Sequence, residues 1–327
     1  MRFGLIGAGR IGALHATTLA SLPAVNGLVV CDIDRGQARA VADRVGAVAV
    51  DTLDEMLAAG IDAAVVTTST STHASLIQQI AAAGKPVFCE KPIAPDVAGT
   101  RAVLAAVQQA GVALQVGFQR RHDPGIAAIR AAVVEGRLGD LHLLRSCTHD
   151  PAPPPATYVA TSGGIFRDCA VHDFDIVRWV TGREVVEVSA TGTNRGAPYF
   201  AEASDVDTAA ATLTLDDGTL AICTATRYNG AGYDVRLEAH GSAGALTAGL
   251  DARAPLPPAA TGEPYTGFGE RFHDAYAAEL AAFCDLVTGT GTNSCTGEEA
   301  LAALLVAEAA ELSRRKGRPV LVEEVPR

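Results

Sequence analysis

Residues 4–12 read Gly4-Leu5-Ile6-Gly7-Ala8-Gly9-Arg10-Ile11-Gly12, a short apolar strand running into glycines spaced G-x-G-x-x-G. Each glycine has a mechanical use. Gly7 permits a tight turn, Gly9 lets a pyrophosphate approach the backbone, and Gly12 lets the following helix pack on the strand, with the phosphates at the helix N-terminus. Alone the triplet is a weak signal. Here a second apolar run, LVVCD at 28–32, ends in Asp32, twenty residues after Gly12. At that separation an acidic side chain meets the hydroxyls of an adenine ribose. Gly7, Gly9, Arg10, Ile11, Gly12 and Asp32 are therefore expected to bind a dinucleotide. A carboxylate at the ribose repels a 2'-phosphate, which favours NAD over NADP. Arg35 is the residue that would reverse this preference by pairing with that phosphate; its reading as a solvated loop arginine is preferred.

Outward from the loop, apolar runs alternate with alanine-rich helical stretches up to about residue 120: FGLIG, LVVCD, AAVVTT, PVFCE and ALQVGF. Uninterrupted apolar strands belong to a parallel sheet covered on both faces. The expected fold is α/β, with a Rossmann domain over 1–122. Gly84 and Pro86 end one of its helices, Asp96 caps the next, and Gly111 closes it. The Ser/Thr-rich segment Thr67 to Thr72 follows the strand expected in AAVVTT and precedes a helix beginning near His73. Thr68, Ser69 and His73 are expected at the cofactor, a role compatible with helix capping. Glu90, ending PVFCE, is assigned there too.

Beyond residue 122 the pattern changes. A helix is expected from about Phe166 to Val180, then strands in VVEVSATG, DTAAATLTLDD, GTLAICTATRY and YDVRLEAHG, with a turn at Asp217-Gly218. This describes a second, α+β domain over 123–327 with a large, mostly antiparallel, open-faced sheet. The segments 150–157 and 251–269, rich in Pro and Gly, read as loops. Near the end Thr296 and Glu299 form a capping box, and Arg314 to Gly317 supply a basic last turn and a stop.

The bulk composition restricts partners. With 327 residues, 48% hydrophobic and 19% charged, the chain suits two packed domains. A net charge of -11 provides no counterion-release term for nucleic acid and no attraction to anionic lipid. Small-molecule partners are expected. The start of the chain lacks a signal-peptide core, and no segment is apolar enough to span a membrane. The seven cysteines are scattered and never form C-x-x-C, so neither a metal site nor a disulfide framework is expected; reduced thiols in the cytoplasm are.

Two further motifs carry chemistry. Glu90-Lys91-Pro92 puts a lysine at a strand's carboxyl end, where an ammonium can polarise a substrate oxygen. SGGIFRDCAVHDFDIVRW places Asp168 and His172 four apart on one helical face. A surface pair of that spacing is worth only ~0.3–0.5 kcal/mol. Removing hydride from an alcohol, however, requires a base for the hydroxyl proton, and histidine suits it, with the aspartate to orient the ring.

G-x-G-x-x-G, then E-K-P, then D-x-x-x-H, in this order and across essentially the whole chain, resemble the Gfo/Idh/MocA oxidoreductases. VGFQRRHDPG (116–125), SCTHDPAPPP (146–155), SGGIFRDCAVHDFD (162–175) and GYDVRLEAHGS (232–242) are most similar to the family's inositol 2-dehydrogenase branch. The resemblance implies a catalytic lysine at Lys91, an aspartate at Asp168, a histidine base at His172, and polyol contacts at Arg121, His149 and Tyr233. It implies an NAD-dependent dehydrogenase that oxidises a ring hydroxyl of myo-inositol or a related cyclitol or sugar to a ketone. It also implies a homo-oligomer, with a tetramer favoured to cover the open sheet face. One departure stands out: His122 follows the paired arginines where that branch carries an aromatic residue. Two rival functions on this fold are an NAD-using glycoside hydrolase, which borrows hydride and returns it, and a non-enzymatic NAD-binding sensor. A sensor has no use for Lys91, Asp168 and His172 together.

Overall fold

The computed structural model describes residues 1–256 and 261–326; residues 257–260, part of the expected 251–269 loop, lie outside the described residues. The chain divides into two compact units, Met1–Gln119 with Asp274–Leu301, and Arg120–His273 with Ala302–Arg327.

The first unit runs β1 (Arg2–Ile6), α1 (Arg10–Ser21), β2 (Gly27–Cys31), α2 (Arg35–Val45), β3 (Val48–Val50), α3 (Leu53–Ala58), β4 (Ala63–Val66), α4 (Thr70–Ala82), β5 (Val87–Glu90), α5 (Val97–Ala110) and β6 (Leu114–Gly117). Its six strands are all parallel in the order β3-β2-β1-β4-β5-β6. The order reverses beside β1, so β1 and β4 diverge at the crevice where a Rossmann sheet takes its nucleotide. The helix stops lie where the sequence places them: Gly84 and Gly111 have φ of 73° and 65°, and the Asp96 side chain accepts from the Gly99 N–H. None of the five quoted runs corresponds to β3.

The second unit contains α6 (Pro124–Val134), β7 (Leu141–His149), α7 (Ala156–Val159), α8 (Val171–Thr181), β8 (Val185–Thr193), α9 (Tyr199–Glu202), β9 (Thr208–Leu215), β10 (Leu220–Thr226), β11 (Asp234–Gly241), β12 (Gly244–Ala248) and α10 (Phe268–Arg271). Then α11 (His273–Thr288) returns to the first unit, α12 (Gly297–Lys316) leads back to the second, and β13 (Val320–Leu321) closes the chain. The seven strands lie in the order β12-β11-β7-β10-β9-β8-β13, antiparallel except for the β7–β10 pair. One face carries Ala221, Cys223, Leu237 and Ala239 into a core shared with Phe174 and Val177 of α8 and Val306 and Ala310 of α12. On the other face Leu220 and Ile222 remain 43% and 39% exposed.

Besides β3 and β7, which none of the expected strands covers, two details differ from the sequence reading. The turn before α8, Phe166–Ala170, is π-helical, so the expected helix is wider at its start. Residues 274–301 join the first unit, where a single division at 122 is expected. The physical reason is aromatic: Phe283 of α11 lies 5.8 Å from Phe3 and 5.7 Å from Phe88, ring centre to ring centre, and Leu280 and Cys284 are buried with them. Such ring pairs add about 0.5–1.5 kcal/mol each beyond the area they bury.

Candidate active site

In the first unit the glycine loop is required by close backbone approach. A Cβ at Gly12 would lie 1.8 Å from the Gly7 carbonyl oxygen, and one at Gly7, whose φ is 101°, would lie 2.6 Å from the Thr67–Thr68 backbone. Thr67 locks this contact by donating its hydroxyl to the Ile6 and Gly7 carbonyls at 3.1 and 2.7 Å. Gly9, the N-cap of α1, has nothing within 4 Å of its Cβ position, and the first turn of α1 has neither a side-chain cap nor an acidic residue. Those N–H groups, at the positive end of a twelve-residue helix, suit a pyrophosphate. Arg10 is exposed and Ile11 half-buried beside them.

The Asp32 carboxylate accepts from the Ala8 N–H at 2.5 Å and the Asp34 N–H at 2.8 Å. These bonds fix the acid at the end of β2, with lone pairs left for ribose hydroxyls. Arg35 pairs with Asp51 at 3.1 Å, on the exposed surface. The residues present fit NAD.

The Ser/Thr segment divides in use. Ser69 is the exposed N-cap of α4, which begins three residues ahead of the expected start near His73. Thr68 accepts from Thr72 through their hydroxyls at 2.7 Å. His73 is only 2% exposed, and its ring nitrogens lie 2.7 Å from the Pro92 carbonyl oxygen and 3.0 Å from the Thr68 carbonyl oxygen. Its ring is thus taken up by backbone, where a cofactor contact is expected. Glu90 lies at the end of β5 with Oε1 2.7 Å from Nε2 of His15, and Lys91, half-buried, follows.

In the second unit Asp168 and His172 are both half-buried. Asp168 accepts from the Tyr158 hydroxyl at 2.8 Å and from Arg227 at 2.5 Å, and Arg227 also reaches Asp150 at 2.7 Å. This Tyr158–Asp168–Arg227–Asp150 network holds the aspartate. Apart from Asp168 it was missed in the sequence, although Arg227 closing a Thr-rich strand was a visible signal.

Arg121, at which the resemblance implies a polyol contact, is buried in the second unit. It makes a bidentate pair with Asp175 at 3.0 and 2.6 Å, with both residues buried. Its neighbour Arg120 pairs with Asp173 at 3.1 Å and donates to Thr148 at 2.8 Å, while Ser146 and Thr148 donate to the same aspartate at 2.5 and 2.6 Å. The two arginines brace α8, the helix that presents His172. Removing one member of such a buried pair costs about 3–5 kcal/mol because its partner is left uncompensated. Beside them, burial and the Arg121 charge lower the pKa of His122 to about 4. It is a neutral planar ring at pH 7, physically close to the aromatic residue it replaces.

His149, a second implied polyol contact, ends β7. Ser146 and Thr148 meet α8, so by strand alternation Cys147 and His149 face the opposite side of the sheet. The His149 ring lies 3.0 Å from the Thr224 hydroxyl and 3.6 Å from Asp234. Together Cys147, His149 and Asp234 are the one group of potential metal donors among the described residues, within 4.8 Å of one another. Arg236 already donates to Asp234 at 2.9 Å, and burial pushes the Cys147 thiol up to about 12, so the group as built is a largely buried polar network. Tyr233, by contrast, is 5% exposed, with Arg120 and Asp150 among its charged neighbours; burial raises its phenol pKa.

A phosphate-ready glycine loop, an acid at the second strand and a braced helix carrying a histidine define an NAD-dependent oxidoreductase. The chain belongs to the GFO/IDH/MocA oxidoreductases: residues 1–118 match the family's NAD-binding Rossmann domain and 126–247 its C-terminal domain. It is 41% identical to the myo-inositol dehydrogenase Hyg17 of Streptomyces leeuwenhoekii, over 97% of this chain and 98% of that protein. It is 39% identical to the inositol 2-dehydrogenase of Rhizobium meliloti, over 98% and 99%. Among solved structures, scyllo-inositol dehydrogenase from Lactobacillus casei, with bound NAD(H) and scyllo-inositol, superimposes with a TM-score of 0.89 at 31% identity, covering 99% of each chain.

Proposed function

We propose that this chain is an NAD-dependent cyclitol dehydrogenase that oxidises a ring CH–OH of myo-inositol or a close relative to the ketone, giving 2-keto-myo-inositol from myo-inositol. The observation that carries the reading is α8, where two buried arginine–aspartate pairs hold the helix that presents His172. The full-length similarity to named inositol dehydrogenases supports the substrate class.

When bound, NAD supplies the hydride acceptor. His172 takes the hydroxyl proton, and Lys91 stabilises the alkoxide that forms as the proton leaves. Asp168, held by Tyr158 and Arg227, orients the imidazole. Tyr233 and the neutral His122 ring are assigned to the polyol. A screen at 340 nm of NAD and NADP against inositols, glucose and xylose tests this directly. Strong NADH production with a cyclitol is expected; a chromogenic glycoside cleaved without net NADH would instead establish the hydrolase reading, and no turnover with any polyol the sensor reading.

Asp32→Ala should raise the KM for NAD about tenfold and relax the preference against NADP, because the acid both binds the ribose and repels a 2'-phosphate. Unchanged NAD kinetics in that variant would displace the ribose site from Asp32.

The open face of the second unit's sheet, with Leu220 and Ile222 exposed among threonines, is assigned to contact with other copies of the chain in a tetramer. Light scattering at micromolar concentration should give about four times the subunit mass; a stable monomer removes the idea. Among the described residues no helix is long and apolar enough to cross a membrane. The seven cysteines are free and buried, the state expected of thiols in the cytoplasm, where we place the protein.

A further inference from the structure

Lys91 stands between two residues that are each held by a buried histidine from a different helix. On one side is Glu90. His15, in α1, is fully buried, and its Nε2 donates to Glu90 Oε1 at 2.7 Å. The ring packs edge-on against Phe88 and Tyr276, with centroids 5.6 Å away in both cases. Its other nitrogen, Nδ1, is buried and has no hydrogen-bond partner among the described residues. The Glu90 bond is therefore the hydrogen bond that the described residues give this buried imidazole. Gly117 leaves room for the Glu90 carboxyl group, since a Cβ there would come within 3.1 Å of it.

On the other side is Pro92. His73, in α4, has Nδ1 2.7 Å from the Pro92 carbonyl oxygen and Nε2 3.0 Å from that of Thr68. Both acceptors are backbone, one after β5 and one after β4. A ring with a single N–H donates to one of them, and the shorter contact assigns that bond to Pro92.

We propose that His15 and His73 are positioning residues for Lys91, one holding the residue before it and the other the residue after it. A lysine has a long, rotamer-rich stem, so its ammonium can be placed to within a fraction of an ångström only if its backbone is fixed. Two imidazole bonds at the flanking residues supply that constraint without touching the ammonium. A histidine kept only for packing would be replaceable by an apolar side chain at no cost to turnover. A histidine kept for its bond would not be.

The proposal rests on the catalytic role given to Lys91, and its test separates the two. His15→Phe and His73→Phe preserve a packed ring and remove the bond; His15→Gln and His73→Gln retain a donor. Each is assayed for kcat and KM with NAD and the best substrate of the 340 nm screen, for ADP-ribose affinity by calorimetry, and for Tm. The Phe variants should lose about tenfold to a hundredfold in kcat, in line with the cost of misplacing a catalytic group. Their ADP-ribose affinity should stay within about twofold of wild type, since that ligand meets the glycine loop and Asp32 but not Lys91, and the Gln variants should recover most of the loss. Lys91→Ala is measured alongside. If it turns over normally, the role given to Lys91 is wrong. If it is inactive while both Phe variants turn over normally, the histidine proposal is overturned, as it is if the Phe variants lose ADP-ribose binding in step with kcat. Should Phe not fold at either position, Met, equal in length to Gln and without a donor, replaces it, and equal kcat for Met and Gln overturns the proposal.

Discussion

His172→Ala should lower kcat by about a hundredfold or more while leaving NAD affinity nearly unchanged, because a general base acts in the transition state and contributes nothing to cofactor binding. The structure sharpens this expectation. Because Arg120–Asp173 and Arg121–Asp175 are buried and hydrogen-bonded, α8 should keep its place when the imidazole is removed, and Tm should move little. Oxidation by the wild type should weaken at acid pH, where a protonated imidazole cannot accept, and the variant should lose that dependence. Asp168→Asn should be intermediate: it retains the shape and an acceptor for Tyr158 but removes the charge that faces Arg227. Steady-state kinetics across pH, with NADH binding followed by fluorescence, measure all of this. A His172→Ala enzyme with near-normal turnover would leave the cofactor site standing without an identified base.

The parts of the fold that were legible in the sequence are those in which a residue type has one mechanical use. Gly12 is required because any side chain would collide with the Gly7 carbonyl, and Asp96 and Gly111 are required by the ends of α5. The Thr296–Glu299 capping box is present as read, with reciprocal bonds of 2.8 and 3.2 Å. Features that depend on distant partners were not legible. β7 was not recognised as a strand because its inward Ser146 and Thr148 are polar; they are tolerated in a core only because Arg120 and Asp173 satisfy them. The alternation of that strand puts His149, at which the resemblance implies a polyol contact, on the face opposite α8. The resemblance likewise implies a polyol contact at Arg121. Its partner is Asp175, and a pair of arginines matched by two aspartates two residues apart, in HDFD, was visible but had no distance attached to it. The return of α11 to the first unit turns on Phe283 meeting Phe3 and Phe88, and no local pattern announces that contact.

Lys91→Ala should reduce kcat/KM by about a hundredfold to a thousandfold, the range seen when one donor to a developing oxyanion is removed. The argument is electrostatic. As His172 withdraws the proton the substrate oxygen gains negative charge, and that charge peaks before hydride has left carbon. A fixed ammonium lowers the energy of that stage more than it lowers the energy of the neutral alcohol, so most of the loss should appear in kcat and only part of it in KM. Lys91→Arg should recover little, because a planar fork on a longer stem places its charge differently from a compact ammonium. A kinetic signature separates this role from simple substrate binding. With substrate deuterated at the reacting carbon, the isotope effect on kcat should rise in Lys91→Ala, because hydride transfer becomes the slowest step. If the variant showed a raised KM, an unchanged kcat and an unchanged isotope effect, Lys91 would be a substrate-binding residue, and the stabilisation of the alkoxide would have to come from elsewhere in the protein.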